Sequence, residues 1–156
     1  MPKMPFSFPG GSQPELDYQD MADRNMAESY WQMEVVKFAH LHGWRVYHAL
    51  PARRGERYLT AQLGDKGFPD CIMVKKFLNG PSYGKSIVLA VELKSTKGRA
   101  TAEQLAWIDA FARTDGVVAL VGYPKDRDSL FSLLSGAYDM IMAWKKNARL
   151  AGNPLG

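Results

Sequence analysis

From Ala27 onward the apolar positions fall into a helical period. In "AESYWQMEVVKFAHLHG", Tyr30 or Trp31, Val35, Phe38, Ala39 and His42 share that spacing, and Gly43 supplies the stop. "WRVYHAL" changes to strand character and is ended by Pro51. Residues 51–67 lose the period and predict a basic, glycine-containing loop or a pair of irregular short strands. "PDCIMVKKF" predicts a strand, followed by the turn-rich "LNGPSYG". "SIVLAVELK" is the strongest strand signal, and its unbroken apolar run predicts a central strand covered on both faces. "TAEQLAWIDAFARTDG" returns to a helix, with Thr101 as cap, Leu105, Ile108 and Ala112 on one face and Gly116 as terminator. "VVALVGY" predicts a further buried strand and "DSLFSLLSG" a short helix. The resulting order, α-β-loop-β-β-α-β-α, predicts one α/β domain with a mixed central sheet flanked by helices.

The two ends lack this patterning. Residues 1–25, rich in Pro, Gly, Ser and Met, read as a flexible arm. Residues 26–145 hold the ordered domain, and 146–156 read as a basic, disordered tail after an amphipathic start at Ala137. A chain of 156 residues has room for one domain with a core of its own. No apolar run is long enough to span a bilayer, which predicts no membrane partner. The N-terminus lacks a charged region followed by an apolar one, so it does not read as a signal peptide. The single Cys71 excludes an internal disulfide and a cysteine-cluster metal site, which makes a reducing, cytoplasmic setting the expectation.

The net charge of +4 is mild, but its distribution is uneven. Between Arg45 and Lys76 the bases Arg45, Arg53, Arg54, Arg57, Lys66, Lys75 and Lys76 face only Glu56, Asp65 and Asp70. That stretch leads directly into "GFPD", where the chemistry gathers. Side chains alternate along a strand, so Val88, Ala90, Glu92 and Lys94 share one face of "SIVLAVELK". An isolated E-x-K of this kind is ordinarily a strand-end ion pair. Asp70 changes that. Antiparallel pairing of residues 70–76 with 86–94 brings it to the same end as Glu92. Two carboxylates there repel unless a cation joins them, and oxygen ligands suit a hard ion such as Mg²⁺ or Mn²⁺. Lys94 stands where it can orient or deprotonate an attacking water and steady a phosphate.

Pro69-Asp70 followed by Glu92-Leu93-Lys94 resembles the PD-(D/E)xK nuclease signature. The longer run "GFPDCIMV…IVLAVELKSTKGRATAEQLAWIDAF" resembles the virus-type replication–repair nuclease (VRR-NUC) domain, in which a glutamine follows the E-x-K on the next helix. Gln104 stands in that place, and "ESYWQMEVVKFAHLHGW" resembles the opening helix of the same domain, whose acid reaches the metal site. The resemblance spans residues 27–135, and the short chain looks like the stand-alone, phage-type members. It implies a restriction-endonuclease-like core.

On the opening helix, Glu28, Gln32, Val35 and Ala39 share a face while Glu34 points away, so Glu28 is the expected site acid and Glu34 is expected in solvent. The resemblance implies a metal-dependent DNA nuclease with Glu28, Asp70, Glu92 and the Leu93 carbonyl around Mg²⁺ or Mn²⁺. Lys94 would assist the attacking water, and Gln104 would hydrogen-bond the nucleic acid or that water. Arg53, Arg54, Arg57, Lys66, Lys97 and Arg99 are the expected contacts to flanking phosphates.

By analogy with the family, branched DNA of the Holliday-junction type is the expected substrate. A homodimer would place two sites on opposing strands, using Phe77, Leu78, Tyr83, Met140, Ile141, Met142 and Trp144. If phage-encoded, the protein would act in the cytoplasm of a bacterial host. The alternatives are a catalytically idle DNA-binding module of the same fold, a nuclease of flap or linear DNA, a restriction-type enzyme and a packaging-associated protein. His40, His42 and His48 lack metal-ligand spacing and read as helix-surface or strand residues. Trp31, Trp44 and Trp107 read as core.

Overall fold

The computed structural model describes residues 28–49, 52–54, 57–59 and 63–151. Helix α1 occupies residues 28–41 and stops at Gly43, whose φ of +81° only glycine adopts without strain. Strand β1, Trp44–His48, follows at once. The basic stretch then forms a two-stranded antiparallel ribbon, β2 (Ala52–Arg54) with β3 (Arg57–Leu59), the second of the two forms expected for it. Strand β4, Cys71–Lys76, pairs antiparallel with β5, Ser86–Leu93. Helix α2, Ala102–Ala112, crosses over to β6, Val117–Gly122, which lies parallel to β5. A short 3₁₀ turn, Pro124–Asp126, leads into α3, Arg127–Ser135, and α4, Tyr138–Ala151. The main sheet has the order β1-β4-β5-β6 and is mixed, as the pattern predicted.

The two faces of the sheet carry unequal cores. On one, Trp44, Met73, Leu89, Val91, Leu93 and Leu120 meet Trp31, Val35 and Ala39 of α1 and the leucines of α3. On the other, Ala90 and Ala119 meet Ile108 of α2, with Ile72, Phe111, Ala112 and Val121 around them. Strand β5 is therefore covered on both sides, which is why its sequence is apolar at every position from Ile87 to Val91. The buried indoles act as ties across elements: Trp31 Nε1 donates to Gly122 O at 3.2 Å and Trp44 Nε1 to Leu134 O at 2.8 Å.

Several expectations need correction. Asp70 lies just ahead of β4 rather than within it. Leu105 is 50% exposed, because the inward stripe of α2 runs through Gln104, Ile108, Phe111 and Ala112 instead. The tail expected to be disordered from residue 146 is helical through Ala151. Lys145, 7% exposed, helps to fix that helix by donating to the carbonyls of Ala112 (2.8 Å), Thr114 (3.0 Å) and Val117. Much of the apolar material assigned to a dimer is used within the protomer: Ile141 is fully buried and Phe77, Met142 and Trp144 pack on the larger core. Leu78, Tyr83 and Met140 remain exposed. Among the described residues no helix is long and apolar enough to cross a membrane.

Candidate active site

Pro69 is buried and has no N–H, so the ladder between β4 and β5 begins one residue beyond Asp70. Cys71 pairs with Val91, which sets Asp70 against Glu92 at the sheet's end. The Asp70 N–H is thereby released to a side chain, and it donates to Glu92 Oε2 at 3.2 Å. The Asp70 carbonyl accepts from Ala49 N–H at 3.0 Å, so the acid's backbone is fixed from both neighbouring strands.

Glu92 is 1% exposed, and its other oxygen is doubly held. Lys94 Nζ lies 2.9 Å from Glu92 Oε1, and Gln104 Nε2 donates to the same oxygen at 2.6 Å. Gln104 reaches there because α2 opens on a capping box. Thr101 Oγ1 accepts from Gln104 N–H at 3.2 Å, and Gln104 Oε1 accepts from Thr101 N–H at 2.9 Å. One glutamine thus fixes its own helix start and the site carboxylate. The loop before Asp70 lies flat on the same first turn. A Cβ on Gly67 (φ +88°) would sit 2.6 Å from Gln104 N and from Glu103 C, so only glycine fits there.

The charges are poorly matched. Burial, and then the nearby charge of Asp70, push the Glu92 carboxyl up to about 7 despite the Lys94 hydrogen bond. Burial also raises Asp70, although Glu92, Lys94 and a backbone hydrogen bond with Leu93 pull it back. The two carboxyls are close enough to share a proton and titrate as a pair. Glu28, half-buried at the start of α1, is raised by burial and feels both Lys94 and Glu92. Lys94 loses charge stability through burial, but the surrounding acids more than restore it and its pKa is raised. Three acids around one ammonium leave the pocket short of positive charge.

That imbalance and the all-oxygen donor chemistry fit a hard divalent cation, which binds through one or two carboxylates and keeps several waters. Among the described residues no three His, Cys, Asp or Glu side chains gather as a group that could hold a metal ion. The fit therefore rests on Asp70 and Glu92 with backbone and solvent oxygens, and Glu28 stands by electrostatically.

Glu34 is not in free solvent: it pairs with Arg127, which ties α1 to α3. Lys66, Lys97 and Arg99 are exposed on the two loops that converge on the start of α2. The side chains of Arg53, Arg54 and Arg57 lie outside the described residues. Two side chains were undervalued from sequence. His48 is a strand residue as expected, but its Nε2 is buried with no hydrogen-bond partner, and its imidazole, lowered by burial, feels the Glu92 charge. It comes near the site through the β1–β4 register, which spacing alone does not reveal. Trp107, expected in the core, is instead half-exposed beside Phe68.

A mixed sheet with helices on both faces and an acid pair with a lysine at its end define an α/β, restriction-endonuclease-like fold. The family model described as "VRR-NUC domain" matches residues 13–122, more than half of the chain, so this protein belongs to the VRR-NUC domain family. No curated protein and no solved structure matches the chain. Membership implies a nuclease-type function, and with it DNA as the partner.

Proposed function

We propose that the protein is a metal-dependent DNA nuclease that hydrolyses phosphodiester bonds at the Asp70–Glu92–Lys94 site, with a preference for branched DNA. The observation that carries this reading is the buried Glu92 carboxylate set beside Asp70 with Lys94 on its oxygen. A binding module needs no such pair, since burying two acids side by side is costly and gains nothing for affinity to a polyanion.

Asp70, Glu92 and the Leu93 carbonyl would hold Mg²⁺ or Mn²⁺, with Glu28 adding negative charge to the same pocket. When bound, such an ion supplies Lewis-acid polarisation of the phosphodiester and lowers the pKa of water. Lys94 holds Glu92 in place and presents an ammonium to the developing negative charge. Gln104 fixes the rotamer of Glu92 and keeps an amide at the pocket wall. Lys66, Lys97 and Arg99 meet flanking phosphates without reading sequence. One site cuts one strand, so symmetric resolution of a four-way junction calls for a two-fold dimer.

Incubation of linear, flapped and four-way DNA with Mg²⁺ tests this. Cleavage that EDTA abolishes, and that is fastest on branched DNA, is the expected outcome. Equal cutting of all three substrates by a monomer would remove the branched-DNA and dimer parts, and activity in excess EDTA would remove the metal.

A further inference from the structure

Two residues before Asp70, the Phe68 ring is 42% exposed, although large aromatic surface is normally buried. It does not hang loose. Phe68 meets Trp107 edge-to-face at 5.1 Å and 78°, and Phe111 at 5.9 Å and 74°. Trp107 and Phe111 stack at 5.8 Å, and Phe111 packs on the α2-side core. The backbone beneath is equally fixed: Trp107 Nε1 donates to Lys66 O at 2.9 Å, and Gly67 lies against the backbone of Glu103 and Gln104. An aromatic ring is thus presented to solvent on a rigid mount, at the lip of the acid site. The exposed cations Lys66, on its own loop, and Lys97 and Arg99, on the loop between Lys94 and α2, flank the same helix start.

We propose that Phe68, backed by Trp107 and Phe111, is a stacking subsite for an unpaired nucleobase of the DNA strand whose phosphate enters the acid site. The proposal rests on the nuclease reading for its substrate and adds what that reading lacks, a reason for preferring unstacked DNA. A base inside a duplex already stacks on both sides and gains nothing from the ring, whereas a base at a flap, gap or junction has a free face. Cations draw the backbone in, and the ring rewards only the nucleotide that has left the stack.

The test uses the full chain in Ca²⁺, with a flapped duplex carrying 2-aminopurine at its first unpaired position and a blunt duplex of the same length. Stacking on Phe68 quenches the 2-aminopurine, so wild type should quench and Phe68→Leu should not. Phe68→Leu should reduce the flap-over-duplex affinity ratio by about 5- to 100-fold, the range that loss of one base–aromatic stack gives. Phe68→Trp should restore both signals, and an unchanged thermal midpoint would exclude unfolding as the cause. Retention of the ratio by Phe68→Leu, or equal loss on both DNAs, would overturn the subsite. The readout needs no cutting. Wild type that quenches yet cleaves nothing in Mg²⁺ would refute the nuclease reading and support the subsite, and wild type that cuts without quenching would do the reverse.

Discussion

Among the described residues, Lys94 and Lys145 are both largely withdrawn from water, and their hydrogen bonds run to different kinds of acceptor. Lys145 donates to three neutral carbonyls at the end of α2 and the start of β6. Lys94 meets the Glu92 carboxylate at 2.9 Å, with Asp70 and Glu28 in its field. Backbone dipoles have one arrangement and cannot exchange protons, so these three bonds clamp α4 onto the turn between α2 and β6. Carboxylates can take a proton, a cation or a new partner, and the Lys94 pocket keeps an unsettled charge balance that a ligand can resolve. If the proposed function holds, the contrast separates buried charge that serves the fold from buried charge that serves chemistry.

Exchanging each lysine for methionine breaks the comparison most sharply. Lys94→Met should lower the DNA cleavage rate by about 10²- to 10³-fold, the range for loss of one donor aimed at developing negative charge, with the smaller shift in thermal midpoint of the two because the unpaired Glu92 can take a proton. Lys145→Met should do the converse: three carbonyls lose the ammonium, Thr114 keeping the Val117 N–H, at a cost of about 1–3 kcal/mol, while the folded fraction still cuts. Calorimetric melting and single-turnover cleavage on both variants check this, and a loss of both properties in each would erase the distinction.

The pH dependence comes next. Glu92 ionises in the fold only near pH 7, against 4.5 for an ordinary glutamate, so its contribution to stability is complete below about 4.5 and is lost as pH rises to about 7. Asp70 and Glu28 act in the same direction, and His48, lowered by burial, acts against them. Glu92→Gln should flatten the fall in metal-free stability across that window, measured by urea titration at several pH values. Smallest is the contrast on α1. Glu28→Gln should slow cleavage severalfold, and Glu34→Gln should leave it unchanged, costing at most about 1 kcal/mol through the lost Arg127 pair. The reverse order would put the wrong face of α1 at the site.

The legible parts of the molecule were those written in local pattern. The unbroken apolar run of β5 marks a doubly covered strand, Gly43 marks the left-handed stop, and Thr101 marks the cap. The acid pair was legible as well, because strand alternation and one hairpin register fix it. What escaped depends on tertiary partners. Glu34 looks like a surface acid until α3 supplies Arg127, and residues 146–151 look too polar to stay ordered until Lys145 finds its carbonyls. His48 reaches the site only across the β1–β4 register, and Phe68 stands out only once its neighbours are known to support it without covering it. Gln104 had a readable second signal, since T-A-E-Q is a capping box, but its bond to Glu92 needed the fold.

Whether the acid pair is short of a cation can be measured directly, by titrating Mn²⁺ into metal-free protein in buffers of different ionisation enthalpy. With Glu92 half-protonated near pH 7, binding should release close to one proton at pH 6 and almost none at pH 8.5, and Asp70→Asn should bind far more weakly. Binding with no proton release at pH 6, or with equal affinity in Asp70→Asn, would contradict the assignment of this pair as the metal site.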